Sequence, residues 1–155
     1  MSLGEARAYC SSYGKRLPTS WEWSYAAQGS DGRNYPWGND EEGAANGTRC
    51  PPLNTSYGDP ASVDAHPAGA SPFGVLDMVG NVWQFLDEFA DVHTRAVLVR
   101  GGSFFYPQVP QGDANWYFPN DLSMRRLDAN GKFFVMDDSF ERTGTIGFRC
   151  AADAA

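Results

Sequence analysis

The chain lacks any apolar run approaching the roughly 20 residues of a membrane-spanning helix, so no membrane span is expected. Basic residues are few: 12 Lys and Arg stand against 19 Asp and Glu, a formal charge of −7. With no basic stripe, electrostatics disfavour nucleic acid and anionic membrane surfaces as partners. Histidine is scarcer still. His66 and His93 lie in separate stretches without metal-ligand spacing. Ser103 has no histidine near it in sequence, which argues against a serine-hydrolase arrangement. The three cysteines, Cys10, Cys50 and Cys150, include no C-x-x-C pair, so a zinc site is not expected. Cys10 and Cys150 sit near opposite ends. Either they pair and close a very long loop, or they are two buried thiols of a reducing compartment. The start, MSLGEARAYC, has no apolar h-region of a signal peptide and opens directly on a helical pattern.

What is present fits one globular domain over residues 1–155. Hydrophobic residues make up 42% and aromatics 14%, enough for a core. Seventeen glycines and ten prolines imply frequent turns and much irregular loop. Residues 5–13 read as a short helix with Ala6, Cys10 and Tyr13 on one face and Gly14 as the stop. Thr19 and Glu22 form a capping-box pattern before a helix over 20–28, whose buried face is Trp23, Ala26 and Ala27, and Gly29 ends it. No period persists from 30 to 72. Strands are expected near 82–85, at 96–100, at 133–136 and at 145–150. The class is α+β, loop-rich, with short helices and short antiparallel strands. Arg16, Arg100 and Arg149 interrupt otherwise apolar segments. Buried charges need partners, so these guanidinium forks are expected to tie loops together through carboxylates and carbonyls.

Several segments carry a resemblance in their order along the chain: GKRLPT at 14–19, EWSYAA at 22–27, YPWGN at 35–39, FGVLDMVGNVWQ at 73–84, RGGS at 100–103 and IGFRCA at 146–151. The chain resembles the sulfatase-modifying-factor family, whose founding member is the formylglycine-generating enzyme. The likeness spans nearly the whole sequence and corresponds to the C-terminal two thirds of full-length members, so the chain reads as N-terminally truncated relative to them. The resemblance implies a C-type-lectin-like domain and a Cys10–Cys150 disulfide. It also implies a calcium loop, with the Asp77 side chain, the Gly80 and Val82 carbonyls and the Gln84 side chain as ligands. The family's residue at the last position is commonly Glu. A second calcium site would use Asn46 and the Gly47 carbonyl, with Asp59 as a distal ligand. The plain alternative for these Asn and Asp residues is loop capping.

In the family a copper ion is held by two cysteines just after the Arg-Gly-Gly-Ser motif, where soft thiolates suit Cu(I). Here that stretch reads FFYPQVPQ from Phe104, with Tyr106 and Gln111 at about the two positions. No copper is expected and no residue is assigned a catalytic role. The aromatics that follow, together with nearby polar groups, form a candidate ligand groove: Ser103, Phe105, Tyr106, Asn115, Trp116, Tyr117 and Arg125. The expected function is a non-oxidase module that binds an unidentified protein or small ligand, in an extracytoplasmic location. The alternatives are an enzyme, either of the cysteine-oxidising type or of another chemistry, and a retroelement-diversified ligand-binding protein.

Overall fold

The computed structural model describes residues 1–39, 59–91, 93, 95–104, 131–134 and 143–154. The first helix, α1, spans Leu3–Ser12 and begins earlier than expected. The reason is a second capping box: the Glu5 carboxylate accepts the Ser2 amide at 2.9 Å, and the Ser2 hydroxyl accepts the Glu5 amide at 3.3 Å. Leu3, Ala6 and Cys10 form its buried face. Tyr13 is not on that face. It is the C-cap residue and exposed, its ring against Tyr9 with centroids 5.1 Å apart. The second helix, α2, spans Ser20–Gln28 as expected, capped by Thr19 and Glu22 and ended at Gly29. Trp23 and Ala27 are buried, and Ala26 is half-buried beside them.

Among the described residues four strands form one sheet in the order β3-β2-β1-β4: β1 Trp83–Asp91, β2 Ala96–Arg100, β3 Gly131–Phe134 and β4 Ile146–Gly147. β1 is longer than the sequence implied. Its first four residues are buried, Asp87 is exposed, and Phe89 beyond it still packs against the core. The expected strand at 133–136 begins earlier, and Val135 and Met136 lie outside the described residues. β2 pairs antiparallel with both β1 and β3. The all-antiparallel expectation fails at β4, which runs parallel to β1. β2 and β3 lie between β1 and β4 in the chain, so β4 is not tied to its partner by a tight hairpin that would force the antiparallel sense. Gly147 in β4 also suits its place, because a Cβ there would come within 2.9 Å of Val82 Cγ2.

Side chains alternate across the sheet and feed two cores. One gathers Trp83, Phe85, Val97, Val99 and Ile146 with Leu3, Ala6, Cys10 and Leu17. The other gathers Leu86 with Trp23, Ala27, Met78 and Val79, and Leu98 packs against it. The sheet therefore has α1 on one face and α2 with the loop before β1 on the other.

The two ends of the described chain are fastened together. Cys10 and Cys150 form a disulfide, which decides between the two cysteine readings. Arg16 and Ala151 exchange backbone hydrogen bonds of 3.0 and 2.7 Å. The Arg16 guanidinium meets both Glu22 oxygens and the Asp153 carboxylate. Among the described residues no helix is long and apolar enough to cross a membrane.

Candidate functional site

The loop entering β1 is held by several backbone and side-chain hydrogen bonds. Asp77, Gly80 and Asn81 all have positive φ, at 53°, 81° and 61°. Asp and Asn are the side-chain-bearing residues that best tolerate that conformation, which explains their use here. Asn81 is buried and holds the loop to its surroundings. Its amide oxygen accepts the Ala61 amide at 3.0 Å, and its Nδ2 donates to the Ala61 carbonyl at 3.1 Å and to Asp77 Oδ2 at 3.3 Å. The Asn81 carbonyl accepts the Phe104 amide at 2.7 Å, and the Gly80 amide donates to the Gly101 carbonyl at 2.6 Å. Gly101 has to be glycine: its φ is +96°, and a Cβ would stand 2.7 Å from the Met78 carbonyl oxygen.

Gln84 lies beneath this loop, 3% exposed. Its Oε1 accepts from Trp23 Nε1 at 2.8 Å and from Arg149 Nε at 2.6 Å. Its Nε2 donates to the Asp77 carbonyl at 2.5 Å. Two donors converge on one amide atom, so that atom is the oxygen and the orientation of the amide is fixed. Arg149 Nη2 reaches the Leu76 and Asp77 carbonyls at 3.0 and 3.2 Å. Burial lowers the Arg149 pKa and the nearby Asp77 charge opposes that; a guanidinium stays charged regardless. Burial raises the Asp77 pKa, against the hydrogen bond from Asn81 and the charges of His66 and Arg149. Arg100 ties β2 to α2, with Nη1 donating to Ser24 Oγ at 2.8 Å and the guanidinium over the Trp23 ring. Arg16 and Arg149 thus act as the forks expected from the sequence, on carboxylates and carbonyls respectively; these Arg100 contacts are instead to a hydroxyl and an aromatic ring.

Calcium takes about six to eight oxygen ligands. The expected ligands Asp77, Gly80, Val82 and Gln84 do belong to one loop and the start of β1. However, both lone pairs of Gln84 Oε1 are already engaged by donors, so this four-residue set does not fit a calcium ion as arranged. Asn46 and Gly47 lie outside the described residues. So do the groove residues Phe105, Tyr106, Asn115, Trp116, Tyr117 and Arg125. Ser103 is described and buried, beside the Phe104 amide that anchors to Asn81. Among the described residues, no group of three or more His, Cys, Asp or Glu side chains could hold a metal.

Two features went unread in the sequence. Trp23 and Arg149 are the partners of Gln84, joined across separations of 61 and 65 residues that no local pattern reveals. The outer side of α2 also carries an aromatic patch: Trp21 is 83% exposed, and Tyr25 packs on the exposed Phe73 with centroids 5.1 Å apart. The i, i+4 spacing of Trp21 and Tyr25, off the buried face, was its available signal.

A family model described as the sulfatase-modifying factor enzyme 1-like domain matches residues 1–154. The chain is 34% identical over 165 residues to a Bos taurus protein named inactive C-alpha-formylglycine-generating enzyme 2, across 99% of this chain and 49% of that protein. It is 30% identical over 166 residues to the formylglycine-generating enzyme of Mus musculus, across 99% of this chain and 43% of that one. A hercynine oxygenase of Mycolicibacterium smegmatis is 40% identical over 88 residues, 52% of this chain and 19% of that protein. PvdO from Pseudomonas aeruginosa superposes with a TM-score of 0.65 at 18% identity, over 96% of this chain and 58% of PvdO. For CarF the values are 0.55 and 22%, over 88% and 46%. At such identities these two structures speak to the fold alone. The chain spans about half the length of the two formylglycine-generating-enzyme relatives it matches end to end.

Proposed function

Because the chain belongs to the sulfatase-modifying factor enzyme 1-like family, we propose that it is a non-oxidase member of C-type-lectin-like design that binds a protein or small ligand. The observation carrying this reading is a cysteine count. The sequence holds three cysteines, and two of them, Cys10 and Cys150, are bonded to each other. Only the Cys50 thiol is left over. One thiol does not make the paired soft-donor site that holds Cu(I), and the phenol of Tyr106 and the amide of Gln111 are poor substitutes for thiolates. The exposed aromatics of α2 favour the binding part of the reading, since Trp and Tyr commonly anchor interfaces. The bridge favours an extracytoplasmic location, where disulfides persist.

The test is incubation of the chain with Cu(I), oxygen and a cysteine-containing peptide, with aldehyde read by mass spectrometry. The expected result is no aldehyde above a protein-free control, and catalytic aldehyde formation would sink the reading. Calcium at Asn46 and the Gly47 carbonyl belongs to the same proposal. Melting with calcium against chelator tests it, and an unchanged melting temperature removes that site.

A further inference from the structure

We infer that the loop over residues 76–84 keeps its shape without a bound cation, because the Gln84 amide and the Arg149 guanidinium together supply the positive ends that a cation would bring. The Leu76 and Asp77 carbonyls are both drawn toward this interior network. Inward-facing backbone oxygens need donors, since leaving them unpaired is costly. Here the donors are protein groups: Arg149 Nη2 serves both carbonyls, and Gln84 Nε2 serves that of Asp77.

Position 84 decides the matter. A carboxylate there would still accept from Trp23 Nε1 and Arg149 Nε. Its second oxygen, however, would stand where Nε2 now stands, 2.5 Å from the Asp77 carbonyl oxygen. Two oxygens at that distance repel unless a proton or a metal ion lies between them. The amide removes the conflict by turning one of the two into a donor. Trp23 and Arg149 then hold the amide in the one orientation that works. Gly101 lets the assembly close, because a Cβ at that position would press on Gln84 Nε2 at 3.3 Å as well as on the Met78 carbonyl. The glutamine therefore closes the loop with a hydrogen bond where a glutamate would need a proton or a cation. An internal hydrogen-bond donor does a cation's work.

The experiment compares thermal melting in calcium and in chelator for the full chain and for Asp77→Gly. The variant removes the loop's only carboxylate and suits the positive φ at that position. The calcium-induced shift, whatever its size from sites elsewhere, should agree between the two within about 1 °C, against the several degrees that saturating a native-state site gives. A shift seen in the parent chain and abolished by Asp77→Gly would overturn the inference. In Gln84→Glu, melting in chelator should fall by several degrees and calcium should restore it. If that variant melts like the parent in chelator and ignores calcium, the inference is overturned too. The Trp23 indole N–H resonance of the parent chain gives a third reading that needs no substitution: it should not move on calcium addition, and movement on saturation would count against the inference.

Discussion

A chain carrying Cys10→Ala and Cys150→Ala loses a cross-link between residues 140 apart in sequence. A tie of that span restricts the unfolded chain strongly. In the chain-entropy description it is worth about 5 kcal/mol at 25 °C. Domains of this kind have only about 5–15 kcal/mol of stability in total, so the loss is a large share of the whole. At about 2–4 °C per kcal/mol for a chain of this size, melting should fall by about 10–20 °C. The Arg16–Ala151 hydrogen bonds and the Arg16–Asp153 contact do not soften this, because they exist only once the chain has folded. A compact unfolded ensemble would soften it, so the figure is an upper value. Urea unfolding of the variant and its parent, both carrying Cys50→Ser so that no third thiol exchanges, measures the difference. The urea slope should rise in the variant, since an untied unfolded chain exposes more surface. A loss below about 1 kcal/mol with an unchanged slope would refute the reasoning.

The other perturbations address the clasp, the cores and the loop. The Glu22 carboxyl pKa is lowered to about 2 from its usual 4.5, chiefly by hydrogen bonds from Arg16. The stability from this shift is present above the usual value and lost as pH falls from 4.5 toward 2. Both side chains are more than a third exposed, at 36% and 41%, so Glu22→Gln should cost only about 1 kcal/mol at pH 7 and flatten this acid dependence. Chemical denaturation across that range checks it. Leu86→Ala should cost about 2–5 kcal/mol, because Leu86 is fully buried against the packing of α2. Trp21→Ala, at 83% exposure, should change stability by no more than about 0.5 kcal/mol. Gly101→Ala should cost at least about 1–3 kcal/mol, through its positive φ and the clash with the Met78 carbonyl, read as a fall in melting temperature.

Features set by short stretches of chain were legible in the sequence. The Thr19–Glu22 capping box located α2 correctly, and the β-branched run from Ala96 located β2. The same logic would have found the start of α1, since Ser2 and Glu5 repeat the capping pattern. Tyr13 was misplaced because helical spacing alone does not show where a helix ends, and Tyr13 lies just past that end. The direction of β4 was illegible for a different reason: two residues carry no information about which strand they join or in which sense. The network around Gln84 was half legible. A buried Arg149 had to find carbonyls or carboxylates, but its meeting with Trp23 at one amide oxygen is a product of tertiary packing. The disulfide came from family likeness, because composition and spacing left free thiols equally open.

The Cys10–Cys150 bond also governs how the molecule would bear a mechanical load. Tension applied at the two ends of this chain enters near residues 10 and 150 and passes straight across a covalent link. The sheet, the loop before β1 and everything else strung between those two residues would feel almost none of it. A pull on the ends of this chain would therefore leave the two cores and the loop before β1 undistorted.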